Sequence, residues 1–179
     1  MAAEDDLLTS SRLIAWFLLG VAIATAQLRP ANASETQEVA LKRVNLLVSD
    51  LDRSLAIYRD ILGFRVFEIS DSSPQSYSHA VLGIPEAAKL RFATLDSSTE
   101  TRALALTEVK GVELPVAPSF VTSSPVIRIT HFDEVLVRLR EAGLRVVEPR
   151  RSKTPEGREF SELGFTDPDG HVVVLYQLD

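Results

Sequence analysis

Three histidines, no cysteine and a scatter of carboxylates and guanidiniums are the reactive inventory of this 179-residue chain. Without cysteine there is no disulfide framework, thiolate nucleophile, Cys-ligated zinc or iron–sulfur cluster. His79 falls in a polar loop, His131 at a helix start and His171 just after a turn glycine. None stands within ligand spacing of another, so each reads as a solvated or capping histidine. No Gly-x-Ser-x-Gly turn presents a serine nucleophile. A formal charge of −6, with Lys and Arg dispersed, argues against a nucleic-acid partner.

The elements that would carry these residues alternate between two periods. Val39–Val48 alternates like a strand, and Leu51–Leu62 repeats apolar residues at helical spacing behind Ser49 and Asp50, with Gly63 as its stop. Phe64–Ile69 reads as a strand, Ser70–His79 as a loop, and Leu90–Leu95 and Ala103–Val109 as two further strands. The order then recurs. Val126–Thr130 is a strand, Phe132–Ala142 a helix stopped by Gly143, and Leu144–Glu148 a strand. A charged loop follows, then strands Glu159–Phe165 and Val172–Gln177. Asp167-Pro168-Asp169-Gly170 between the last two fits a type I turn.

The halves align directly. Val48, Leu51, Asp52, Leu55, Gly63, Arg65, Val66 and Glu68 fall on Ile129, Phe132, Asp133, Leu136, Gly143, Arg145, Val146 and Glu148, with one gap before the glycine. The reading is a duplicated βαβββ unit. Module one covers 39–110, a Pro-containing linker 111–119, and module two 120–179.

VNLLVSDLDRSLAIYRDILGFRVFE resembles the opening of vicinal oxygen chelate proteins, the superfamily of glyoxalases, extradiol dioxygenases and bleomycin-resistance proteins. FTDPDGHVVVLYQ resembles that superfamily's closing turn and strand. The resemblance implies an α+β fold of two βαβββ modules curling into a half-open barrel cup. It also implies a divalent metal held in that cup by His, Gln or Glu on the first strand of each module and Glu or a similar residue on the last. Here those places fall on Arg43 and Ser124, and on Ala105 and Val174. Guanidinium, methyl and isopropyl groups donate nothing to a metal, and an unassisted hydroxyl is a poor ligand. Glu108, three residues past Ala105, has the opposite parity. The expectation is therefore no metal and no catalytic residue.

By alternation, Arg43, Asn45, Ser124 and Arg128 share the inward face with Ala105, Val174 and Tyr176. That lining suits a small organic ligand, with Arg43 positioned to grip a carboxylate or phosphate. The expected function is metal-free small-molecule binding. The alternative is a metal-dependent lyase or dioxygenase of the glyoxalase type with relocated ligands. A homodimer is a further expectation.

Residues 1–33 stand apart. Leu13–Ala26 is uncharged, follows Arg12, ends in the small-residue triplet Ala24-Thr25-Ala26 and is followed by a second, Ala31-Asn32-Ala33. As a helix the run spans ~21 Å, short of a ~30 Å hydrocarbon core. It reads as a secretory signal peptide, implying an exported protein, with an uncleaved membrane anchor as the alternative. Acidic Glu4, Asp5 and Asp6 depart from the usual basic start.

Overall fold

The computed structural model describes residues 39–116 and 119–179. The apolar run Leu13–Ala26 lies outside them, and among the described residues no helix is long and apolar enough to cross a membrane. Module one contains β1 (Val44–Val48), α1 (Leu51–Leu55) continued by a π-helical stretch Ala56–Ile61, β2 (Arg65–Asp71), α2 (Tyr77–Leu82), β3 (Lys89–Asp96) and β4 (Leu104–Lys110). Module two contains β5 (Val126–Arg128), α3 (Phe132–Glu141), β6 (Arg145–Val146), β7 (Arg150–Lys153), β8 (Glu159–Thr166) and β9 (Val172–Leu178).

Each module builds one mixed sheet on the same plan. The strand orders are β1-β4-β3-β2 and β5-β9-β8-β6, with β7 also beside β8. The first and last strands of each module run parallel, pairing Asn45 with Ala105 and Val126 with Val174. Those two pairs occupy equivalent places, so the duplication read from the sequence is present in the strand register.

The single gap in that repeat has a structural counterpart. Module one has one more residue than module two before the stop glycine, and its helix widens to π geometry over Ala56–Ile61. A one-residue insertion relaxes into a wider turn because the downstream chain can then keep its place. Gly63 (φ +83°) and Gly143 (φ +71°) thereby end the two helices in the same left-handed conformation.

β5 and β6 are shorter than the expected Val126–Thr130 and Leu144–Glu148, and three further differences bear on the site. β1 starts at Val44 rather than Val39 because its partner β4 begins only at Leu104, leaving residues 39–43 without a ladder. The expected loop Ser70–His79 ends inside α2, a six-residue helix capped by the Ser76 side chain and too short to show an apolar period. The charged stretch after β6 forms β7, antiparallel to β8. Pro149 separates β6 from β7, since it has no N–H to give the ladder.

One core joins both modules. Leu46, Val48, Leu51, Leu55, Tyr58, Leu95, Leu104 and Leu106 cluster with Ile129, Phe132, Leu136, Leu139, Phe165, Val173 and Leu175. A second cluster lies on the other side of the first sheet, where Leu47, Leu90 and Val109 pack against Ile84, Ala88, Val112 and Leu114. The linker thus covers part of a sheet face that the sequence reading left open.

Candidate functional site

The strand register sorts the candidate side chains by face. On β1 and β4, Leu46, Leu104 and Leu106 enter the shared core, so Asn45, Ala105 and Thr107 have the opposite face. The Thr107 hydroxyl donates to Asn45 Oδ1 at 2.8 Å. In the second sheet Ile127 and Leu175 face the core, which leaves Val126, Arg128, Val174 and Tyr176 on the other side. There Tyr176 stacks on Phe160 with ring centroids 5.5 Å apart. Arg128 and Val126 are exposed on this face.

Only two of the seven candidate residues line one concavity. A hollow of about 530 Å³ has as its walls β1 from Val44 to Leu47, linker residues Leu114–Val116, Val121–Pro125, and the stretch Asp169–Val172. Asn45 and Ser124 are among its residues; Arg43, Ala105, Arg128, Val174 and Tyr176 are not. Arg43 lies just before β1, exposed, and its Nε donates to the Arg102 carbonyl at 2.9 Å. The guanidinium placed at the cup centre by strand alternation is therefore at the sheet end, because the strand it was assigned to starts one residue later. Arg128 borders a separate cleft of about 340 Å³ with His131 and Arg138.

The donor set implied by the resemblance does not fit a divalent metal. An exposed guanidinium, a buried methyl, a hydroxyl and an isopropyl group stand at the four places, and none is an imidazole or carboxylate. Among the described residues no three His, Asp or Glu side chains gather within reach of a common ion. His79 is buried, with Nδ1 3.1 Å from the Pro85 carbonyl oxygen. Glu108 turns to the helix side, where Oε1 accepts the Leu51 N–H at 2.8 Å and Oε2 pairs with Arg91 Nε at 3.0 Å. Burial pushes its carboxyl up, but the Leu51 N–H, Arg91 and Lys110 outweigh burial and hold it below the usual carboxylate range.

The polar wall of the hollow is built by the β8–β9 turn docking on module one. Asp167 Oδ1 accepts the N–H groups of Asp169 and His171, closing the turn, while Oδ2 accepts the Tyr58 hydroxyl at 2.9 Å. Burial, with this carboxylate beside it, pushes the Tyr58 hydroxyl far up, so it stays a donor. Asp169 Oδ1 accepts from Ser49 N, Ser49 Oγ and Arg53 Nη2 at 3.1, 2.5 and 3.0 Å. His171 Nε2 lies 2.7 Å from the Leu47 carbonyl oxygen, which can only accept, so Nε2 carries the proton. Sequence reasoning took Asp169 as a turn residue and missed its place in the wall. The available signal was a second acid in a turn that needs only the first.

Two mixed sheets on one plan, from duplicated modules sharing a core, with a lined hollow beside β1, define the class of fold. The chain belongs to the Glyoxalase/Bleomycin resistance protein/Dioxygenase superfamily, which it matches over residues 40–175. No curated protein sequence matches it significantly. Among solved structures, a glyoxalase family protein from Bacillus cereus is similar with a TM-score of 0.63 at 13% identity, covering 82% of this chain and 99% of that one. The fosfomycin resistance protein FosX from Listeria monocytogenes, solved with Mn(II) and sulfate, gives 0.52 at 16%, covering 79% and 93%. The trypanothione-dependent glyoxalase I of Leishmania major gives 0.51 at 19%, covering 78% and 87%. At these identities the likeness is one of fold.

Proposed function

We propose that this member of the superfamily binds a small organic molecule without a metal, in the hollow between β1 and residues 121–125. The observation that carries the reading is the chemistry of the four family ligand places, Arg43, Ala105, Ser124 and Val174, beside a hollow lined mainly by apolar residues. The hollow's size suits a small ligand. Its Asn45 amide and the hydroxyls of Thr122, Ser123 and Ser124 supply orientation without Lewis acidity. Neighbours in the superfamily are described with metal and anionic ligands, but Arg43 and Arg128 lie away from this hollow, so an anion grip by them is not part of the proposal.

Elemental analysis of protein purified without chelator tests it. The expected result is substoichiometric zinc, nickel, manganese and iron after dialysis. Stoichiometric retention of any of them overturns the proposal and promotes a lyase or dioxygenase. Export belongs to the same reading, with cleavage after Ala26 or Ala33. N-terminal sequencing that finds Met1 or Ala2 in a membrane fraction would overturn that part and favour an anchor.

A further inference from the structure

The duplicated fold makes the same joint twice, and only one of the two is filled. Arg65 pairs with Asp96 as Arg145 pairs with Thr166, so the turns that follow β3 and β8 are equivalent. The repeat likewise sets Ser49 and Arg53 on Thr130 and Glu134. Where the β8–β9 turn meets module one, Asp169 Oδ1 takes the Ser49 N–H, the Ser49 hydroxyl and Arg53. Where the β3–β4 turn faces module two there is instead the cleft of about 340 Å³, with Ser97, Ser98 and Thr130 on its walls.

The carboxylates of that turn are engaged elsewhere. Ser97 Oγ accepts the N–H groups of Thr99 and Glu100, the turn-closing role that Asp167 has in the other half. Glu100 reaches Lys42 at 2.6 Å, and Asp96 Oδ1 accepts the Arg102 N–H at 2.7 Å. The Thr130 N–H, counterpart of the Ser49 N–H that Asp169 fills, finds no acceptor among the described residues. Thr130 is exposed, so an acceptor arriving from solvent can reach it.

The charge around the cleft favours an anion. Arg138 is half-buried and spends one N–H on the Asp60 carbonyl, 2.6 Å away and next to Ile61 of the cleft wall. Its guanidinium is thereby held across the module boundary with other N–H groups to offer. Arg128 and His131 also border the cleft and make no ion pair among the described residues, while Glu134 is the one acid there. An ammonium group would meet two guanidiniums for one carboxylate and leave the Thr130 N–H without an acceptor. Ile61, Leu62, Phe64 and Val135 give the cleft an apolar wall continuous with the core.

We infer that this cleft is a second binding site, separate from the hollow beside β1, for a small organic carboxylate with an apolar body. Its oxygens meet Thr130 and Arg138 as Asp169 meets Ser49 and Arg53 in the other half.

Calorimetric titration of the full chain at fixed ionic strength with 3-phenylpropanoate, 3-phenylpropan-1-ol and 3-phenylpropylammonium tests it. The carboxylate should bind at least about tenfold tighter in Kd than the alcohol, and the ammonium weakest. Arg138→Gln should bring the carboxylate within about threefold of the alcohol. Ser98→Asp, at an exposed turn position where folding is not at stake, places a carboxylate of the chain's own at the cleft and should weaken the ligand at least about tenfold. Ser124→Trp fills the other hollow and should leave the affinity unchanged. Alcohol or ammonium binding as tightly as the carboxylate overturns the inference. So does a carboxylate affinity untouched by Ser98→Asp or, in a folded variant, by Arg138→Gln. Loss of carboxylate binding in Ser124→Trp assigns it to the hollow, which overturns the inference and supports the proposed function. No binding by any of the three probes overturns the inference, whatever the hollow binds.

Discussion

Glu108 and Gln177 occupy matching places three residues past Ala105 and Val174, and each caps the first helix of its own module. Glu108 accepts the Leu51 N–H and Gln177 Oε1 accepts the Phe132 N–H at 3.0 Å. One cap is charged and the other neutral, which separates their pH behaviour. Glu108 has a folded-state pKa below its unfolded value, so its contribution is complete above the unfolded carboxylate value of about 4.3. That contribution disappears as pH falls through the folded value. Glu108→Ala should cost about 1–3 kcal/mol at neutral pH by urea melts, and the difference from wild type should shrink as the solution is acidified. Gln177→Ala should cost about 0.5–2 kcal/mol with no such dependence over the same range. A Glu108→Ala penalty that stays constant in acid would refute the charged-cap account. Parity on the strand already turned Glu108 away from the inner face; its cap partner, 57 positions back in the chain, was not visible from local pattern.

The repeated strand–helix–strand unit was legible because its signals are local. Apolar spacing, the stop glycines and the alternation of β8 and β9 all lie within one turn or one strand. What escaped the reading depended on contacts between distant segments. β7 is polar throughout and exists because β8 offers it a ladder, and residues 39–43 lack one because β4 begins late. The same dependence hid the site, since Arg43 and Asp169 are placed by where strands start and where a turn docks. The matched helix ends allow a symmetric test. A Cβ added at Gly63 or Gly143 would meet no atom within 4 Å, so only backbone strain opposes it. Gly63→Ala and Gly143→Ala should each cost about 1–2 kcal/mol, and equally, by denaturant titration. A markedly larger loss at Gly63 would mean that the π-helical stretch before it makes that helix end less tolerant than its counterpart.

At the scale of the molecule, the two modules are coupled by a common interior rather than set side by side. Module two's Phe132, Leu139, Phe165 and Leu175 are buried in the same cluster as module one's Leu51, Tyr58 and Leu106. Polar ties cross the same boundary, with the Tyr58 hydroxyl on Asp167, Ser49 on Asp169, and an Arg138 Nη2 donating to the Asp60 carbonyl at 2.6 Å. Separating the modules would expose apolar surface on both and strand the Asp167 carboxylate. Heat or denaturant should therefore unfold the described domain in one transition, with calorimetric and van't Hoff enthalpies equal. Residues 120–179 expressed alone should show no cooperative transition. Tyr58→Phe removes one tie while keeping the ring's volume, leaving Asp167 Oδ2 without its donor in a buried place. It should cost about 1.5–3 kcal/mol and retain a single transition, because the shared apolar core still couples the halves. Two separated transitions in Tyr58→Phe would mean instead that the buried hydroxyl–carboxylate pair, not the core, makes the duplicated modules one unit.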